Sequence, residues 1–546
     1  MRLFLLSVFG LLVCHFTCLK VLAQGQRPDW QSAKVLEGIG YSDVDANGNT
    51  YTLGYFSGTT NIGGTILTSY GYNDGFLAKY SPTGALLWVR QIGSASNDYP
   101  SNFVLDGAGN AYVLGENGGS ISLGNNVTIP YVGILSNSYI VRFNVQGIAD
   151  WAQWTPNGSG TFTDICIDRT AHVFLTGMSS SQITLGGVTL PSANGPRPFI
   201  ARMSTLTGAV EFINACCTYV PFTRSTQYYY PRIAASPSGE IYLLNAFVES
   251  VIINGITLPA RGNPDVLIAK YTTAGNFEWL QVLGGAGAGV YANAARIDAF
   301  GNLYVAGWFG GAVTFGPPTS PVVLNSGGLS DAFLVKLAPT GSVAWAQAGG
   351  GSGQDEYQTI ALDATNSPTA VGKFSGTARF GSTTLSSLGG QDVAVVTYSS
   401  QGQLRWAQQA GGAGLDTGER AGFDSSGVLR VLGHFTTACT FGSIAIASPL
   451  ATPGYVATLG TSALATQNPN ASTLKFYPNP ATTTIQLGGV PTGSDLELID
   501  AVGRVVRTAL TPVDGRISVV GLLPGVYVLR IIIADSKRYT ARVEVL

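Results

Sequence analysis

"GALLWVRQIG" at residues 84–93 recurs along the chain. It returns as "GIADWAQWTP" (147–156), "GNFEWLQVLG" (275–284), "GSVAWAQAGG" (341–350) and "GQLRWAQQAG" (402–411). The tryptophans are Trp88, Trp151, Trp279, Trp345 and Trp406, and Phe212 in "GAVEFINA" fills the missing place. Their spacings are 63, 61, 67, 66 and 61 residues. A period this constant marks a repeat architecture, in which each unit buries its apolar face against its neighbours.

Two further landmarks keep step. One is "DANGNTYTLG" (45–54), "DGAGNAYVLG" (106–115), "DRTAHVFLTG" (168–177), "SPSGEIYLLN" (236–245), "DAFGNLYVAG" (298–307), "DATNSPTAVG" (363–372) and "DSSGVLRVLG" (424–433). The other is a strand of the "DGFLAKY", "DVLIAKY" or "DAFLVKL" type. Each unit therefore reads as four short alternating segments with turn residues between them. In the second unit these are "SNFVLD", "NAYVLGE", "SYIVRFN" and "IADWAQW". Four antiparallel strands per unit predict an all-β propeller, and seven copies of the turn predict seven blades over residues 27–460. The period exceeds that of common propeller repeats. The surplus falls between second and third strands, as in "GTTNIGGTILTSYGYND" (58–74), where a small extra hairpin is expected on one face.

The last unit ends at "PGYVATLG" (453–460) without a tryptophan strand. The missing strand lies at the other end, in "RPDWQSAKVLEG" (27–38), which carries Trp30. An N-terminal strand completing the seventh blade would close the ring and remove the exposed edges of an open array. A linear solenoid would leave that strand without a role. The units resemble the seven-bladed β-propeller repeat family of bacterial extracellular proteins, best in "DxxGNxYvxG", "DxFlxKy" and "GxxxWxxqxGG". The likeness weakens in units three and four, where "TYVPFTRSTQYYYPR" (218–232) is inserted. It implies the fold and names no ligand.

After the polar stretch "TSALATQNPNASTLK" (461–475) the pattern changes, which marks a linker. Residues 476–546 alternate with Gly and Pro turns, as a small immunoglobulin-like β-sandwich of about seven strands would. Three motifs occur there in order: Phe476-Tyr477-Pro478-Asn479-Pro480, then Asp500-Ala501-Val502-Gly503-Arg504, then Leu523-Pro524-Gly525-Val526-Tyr527. They resemble the type A C-terminal sorting domain of the type IX secretion system of Bacteroidetes. The resemblance implies the type IX machinery as partner, export across the outer membrane, tail removal, and then release or surface attachment. At the other end, residues 1–23 have the charged start, apolar run and small-residue cleavage site of a signal peptide. A membrane anchor is the alternative there, but Lys20 interrupts a short run. No other stretch is apolar enough to form a transmembrane segment.

Composition narrows the function. With 29 Lys plus Arg, 31 Asp plus Glu and a net charge of −2, the chain has no electrostatic footprint for nucleic acid. Cys166, Cys216, Cys217 and Cys439 lack metal-ligand spacing. They read as buried small hydrophobes, with a bridge from Cys166 to Cys216 or Cys217 as the alternative. "DVDANGN" (43–49) imitates the start of a calcium loop, but Gly54 stands where a bidentate Glu is needed, so a structural turn is expected. His172 and His434 offer no triad and no metal site. No catalytic residue, cofactor or metal is expected.

What remains are loops at 92–102, 349–359 and 411–421, which join one blade to the next. Asp98, Asp355 and Asp416, with Glu356 and Glu419 beside them, are candidate pocket carboxylates. Tyr99, Tyr291 and Tyr357 are candidate stacking surfaces. The expected role is a secreted or surface-bound adhesion or binding module for a polysaccharide or protein ligand. A carbohydrate-active hydrolase or lyase using two of those carboxylates is the alternative.

Overall fold

Seven copies of one turn set the frame. In the first copy Asp45 Oδ1 accepts the backbone N–H of Asn47 (3.0 Å) and Asn49 (2.9 Å), and Oδ2 accepts Asn49 Nδ2 (2.8 Å). Asp106 and Asp298 repeat this with Asn110 and Asn302. Asp168, Asp363 and Asp424 make the same backbone bonds, and the Ser236 hydroxyl stands in for them in the fourth copy. The turn needs a positive φ three residues on. Glycine supplies it in five copies, as at Gly48 (φ 76°), while Ala171 and Asn366 adopt it in the third and sixth. The calcium-like stretch is thus one of seven hairpin turns, with the Asp45 carboxylate engaged by the turn and by Lys79 (3.4 Å).

The computed structural model describes residues 27–36, 40–133, 135–156, 160–192, 196–219, 230–285, 289–316, 321–450, 453–460, 475–477, 480–488, 492–500, 505–510, 512–533 and 537–545. The signal segment 1–23, most of the linker and the 220–229 insertion lie outside them. The chain separates into two units, residues 1–461 and 462–546. Every regular element among the described residues is a strand.

In the larger unit each turn joins the first two strands of a four-stranded antiparallel meander. The first meander is Gly40–Val44, Thr50–Ile62, Thr65–Tyr80 and Leu86–Ile92. The first strands of the other six are Asp98–Leu105, Gly160–Ile167, Arg232–Ala235, Gly289–Ile297, Glu356–Leu362 and Thr417–Phe423. Each of these inner strands packs on the next, and the seventh packs on the first. This is the arrangement of a β-propeller. The expected surplus hairpins are present: Ile183–Leu185 with Val188–Leu190 is one, and in the first meander the second and third strands simply run on. The hairpin Thr377–Phe380 with Thr383–Ser386 also adds two strands to the fifth sheet through Gly349 and Phe380.

Period-2 alternation on the inner strands divides their residues between two environments. Phe103, Ile165, Ile233, Ala295, Ile360 and Ala421 point into the apolar layers between sheets and are buried. The residues preceding four of them, Asn102, Asp164, Arg232 and Arg420, line the axis. The sheets are fastened to one another at two recurring points. The indole of Trp88 donates to Val145 O of the next sheet's last turn (3.1 Å), and Trp151, Trp279 and Trp345 do likewise to Thr205, Pro339 and Ser400. The phenol of Tyr51 donates to Gly109 O of the next Asp turn (2.6 Å). Lys79 lies over Tyr51 (4.8 Å) and Trp88 meets the same ring edge-on (5.8 Å). The motif letters "Y", "K" and "W" are therefore one contact cluster in the first, fourth and fifth repeats. Cys216, Cys217 and Cys439 are buried, Cys166 is half-buried, and all four are free thiols.

The N-terminal strand Asp29–Leu36 pairs antiparallel with Gly454–Gly460, in the sheet of the seventh turn. Its register corrects one expectation. In the first sheet Trp88 faces Lys79 and Leu86 faces Tyr80. In the seventh, Ser32 faces Thr458 and Trp30 faces Leu459. Trp30 thus stands two residues before the repeat's tryptophan place, packs on Phe441 (4.9 Å) and donates back to Gln409 O of the sixth sheet (3.1 Å).

The smaller unit has two sheets around one core. Lys475–Tyr477, Thr484–Gly488 and Arg516–Ser518 form one, and Asp495–Ile499, Val505–Leu510, Gly525–Ile533 and Lys537–Val545 the other. Ile485, Leu498, Ile517, Leu529 and Val543 meet between them. Tyr527 reaches back to Leu523 O (2.7 Å), which fixes the "LPGVY" corner. Tyr477 and Pro480 are exposed, whereas Pro478, Asn479 and Gly503 lie outside the described residues.

Candidate functional site

The loop carboxylates do not face a shared pocket. Asp98 is fully buried, and its Oδ2 accepts Ser94 N (2.6 Å) and Ser94 Oγ (2.7 Å). Asp355 is fully buried and accepts Gly351 N (2.8 Å) and Ser375 N (3.1 Å). Asp416 is fully buried and accepts Gly412 N (2.7 Å). Burial pushes Asp355 and Asp416 up to about 6, against the pull of those N–H groups. Glu356 pairs with Lys373 (2.9 Å) and Glu419 with His434 (2.9 Å). The physical reason is local: each glycine-rich loop has backbone N–H groups that no strand satisfies, and the following Asp takes them. His172 is held in the same way by Asp168 (3.1 Å) and Glu211 (3.4 Å).

The candidate tyrosines separate. Tyr357 is buried against Tyr398 (3.4 Å between hydroxyls), and Tyr291 is half-buried, stacked on Trp308 at 3.9 Å. Tyr99 is 39% exposed and stands edge-on to Tyr55 (5.2 Å). The Tyr99 hydroxyl donates to Asn97 Oδ1 (3.2 Å) and accepts from Asn73 Nδ2 (3.1 Å). Asn73 also donates to Asn97 (2.8 Å), so the overgrown first hairpin is tied to the loop that carries Tyr99. That hairpin bears Tyr55, Tyr70 and Tyr72, which are 55%, 68% and 73% exposed. Three of these four tyrosines were passed over in the sequence. The signal was present in "TSYGYND", where tyrosines alternate in a strand that no neighbouring repeat extends.

A second feature lies on the axis. A cavity of about 410 Å³ is lined by all seven inner strands. Its wall runs from the middle of those strands to their C-terminal ends, so it lies toward the Asp turns and away from Asp98, Asp355 and Asp416. Arg232, Arg296, Arg420, Asp43 and Asp164 are on this wall. None of them was singled out from the sequence.

Residues 475–544 match the family described as a Secretion system C-terminal sorting domain, and residues 87–117 match a Beta-propeller repeat. The tail is thus a type IX sorting domain and implies secretion. No helix among the described residues is long and apolar enough to cross a membrane. An uncharacterized WD repeat-containing protein of Acanthamoeba polyphaga mimivirus is 24% identical over 361 residues, covering 61% of this chain. The chain spans only 24% of that relative's length. Among solved structures, the quinohemoprotein alcohol dehydrogenase from Comamonas testosteroni is 11% identical, with a TM-score of 0.34, covering 84% of this chain and 81% of that one. An ulvan lyase is 10% identical, with a TM-score of 0.34, covering 75% and 92%. Likeness at this level says nothing about activity.

Proposed function

We propose that this protein is an exported binding module: a seven-bladed β-propeller closed by its N-terminal strand, delivered outside the cell by an immunoglobulin-like type IX sorting domain. It recognises a polysaccharide or protein ligand on the loop-rich face and does not turn it over. The observation that carries this reading is the tyrosine platform of the first hairpin. Tyr55, Tyr70, Tyr72 and Tyr99 are exposed there, with Tyr55 and Tyr99 edge-on beside Asn73 and Asn97, and sugar faces and protein side chains both bind such rings. The sorting tail and the seven meanders support the rest.

The carboxylate-dependent hydrolase or lyase is less well supported. Asp355 and Asp416 have the raised affinity for protons that a general acid needs, but both are sealed from solvent by their own loops. The test is a panel of immobilised polysaccharides and extracellular proteins. The full chain should be retained by at least one, and Tyr70→Ala with Tyr72→Ala should lower that affinity about tenfold or more. Retention unaffected by the double variant, or release of shortened glycan during the incubation, defeats the reading.

A further inference from the structure

The axial cavity carries an uneven charge. Arg232 and Arg420 occupy the same place in their repeats, four residues before Ser236 and Asp424, and Arg296 stands two residues before Asp298. They come from the fourth, seventh and fifth inner strands, and closure of the ring gathers them into one cavity. None of the three forms an ion pair within 4.0 Å among the described residues. Arg296 donates to Ala295 O (2.9 Å), and Arg420 reaches Glu419 O at 3.4 Å while lying against the Tyr41 ring (5.3 Å).

The carboxylates on the same wall face the arginines and also hold local hydrogen bonds. Asp164 accepts Asn102 Nδ2 (2.8 Å) and Ile233 N (2.9 Å), linking three inner strands, and Asp43 accepts Val44 N (2.8 Å). At the mouth Asp168 is used by its turn and by His172, which leaves Arg169 uncompensated there. Burial, and then the charges of Arg232 and Arg296, lower the hold of Arg420 on its proton, and Asp164 and Asp43 oppose them only in part. Four arginines against three carboxylates leave the wall with a cationic excess, which an entering anion would offset.

We propose that the axial cavity binds an acidic sugar. Its carboxylate or sulfate ester is held by Arg232, Arg296 and Arg420, and its hydroxyls donate to the remaining lone pairs of Asp43 and Asp164. Size and donor set point this way. About 410 Å³ is within the range of small-ligand sites and far larger than a bare inorganic anion. Acceptors beside the guanidinium groups would repel such an anion but suit a ligand that carries hydroxyl donors next to its charge. This site is separate from the tyrosine platform, and either can fail without the other.

The experiment is calorimetry and thermal melting of the full chain with glucuronate, inorganic sulfate and glucose at low salt. Glucuronate should bind saturably and raise the melting temperature, glucose should do neither, and affinity should fall as salt rises. The double variant Arg232→Gln, Arg420→Gln should bind glucuronate at least tenfold more weakly, with an unchanged far-ultraviolet circular dichroism spectrum and a cooperative melting transition as the folding control. Should that variant not fold, Arg296→Lys, which keeps the charge and loses the fork, should weaken binding in its place. Absent glucuronate binding, equal binding of glucose, an affinity indifferent to both variants, or sulfate binding without glucuronate binding each overturns the proposal.

Discussion

The joints of the ring are not alike. From first to second, second to third, fourth to fifth and fifth to sixth sheets, an indole crosses to the next sheet's last turn and donates to a carbonyl there. The turn glycine, such as Gly147 beside Trp88, leaves the space that the ring fills. Between third and fourth, Phe212 takes the place and Asn214 supplies the bond to Gly275 O (3.3 Å). From seventh to first no aromatic lies on the turn glycine: the stem of Lys34 covers Gly84, and its ammonium donates to Thr83 O. The chain itself crosses this joint, from Leu36 to Gly40, as it crosses the others, and what joins the two ends is the pairing of Asp29–Leu36 with Gly454–Gly460 inside the seventh sheet. The lesson is that closure here rests on backbone pairing within the seventh sheet, whereas the joints from the first sheet to the sixth add a side-chain latch to a short linker.

Removing residues 27–36 should therefore have the largest effect. It strips the seventh sheet of an eight-residue strand and leaves Val456 and Leu432 exposed at an open edge. The melting transition should lose its cooperativity, and proteolysis should begin at the seventh repeat. A synthetic peptide of residues 27–38 should restore the single transition. A truncated protein that melts as the full chain does would show that the five latched joints hold the ring without its closing strand.

Trp151→Ala should come next. Trp151 is only 9% exposed, packs with Ile213 and Met203, and latches Thr205 O. The loss should be about 3–5 kcal/mol in chemical denaturation, from cavity and transfer terms together. A loss below about 1 kcal/mol would place the strength of the joints in their apolar layers and not in the indole.

Which of these features the sequence discloses follows from how each is encoded. The turn and its latches recur with the same letters, so aligning copies exposes Asp45, Gly48, Tyr51 and Trp88 at once. Register is less visible: Trp30 carries the motif's letter, but a bulge between Trp30 and Ser32 decides where it faces. The sequence places the carboxylates Asp98, Asp355 and Asp416 at loops between sheets. Only the orphan N–H groups of those loops, which have no letter, decide that the side chains turn inward. The axial arginines are hidden for the opposite reason. The place four residues before each turn is Tyr41, Asn102, Asp164, Arg232, Ala294, Thr359 and Arg420, and aligning such unlike residues blurs them away. Their meeting is a product of ring closure, which brings together residues nearly two hundred positions apart.

Lys34→Ala probes the closing joint itself, and its expected effect is the smallest. Its hydrogen bond to Thr83 is solvent-exposed, and such charged contacts contribute about 0–1 kcal/mol. The stem is a separate matter: a Cβ placed on Gly84 would sit 2.9 Å from Lys34 Cδ, so the methylenes lie on the turn much as an indole does elsewhere. Lys34→Met keeps that packing and removes the ammonium, whereas Lys34→Ala removes both. If the stem is the weak counterpart of the tryptophan latch, Met should match the parent within a few tenths of a kcal/mol and Ala should fall below it by about 1 kcal/mol or less. Equal losses in both would assign the contribution to the ammonium. A loss in Lys34→Ala as large as that in Trp151→Ala would erase the difference between the closing joint and the others.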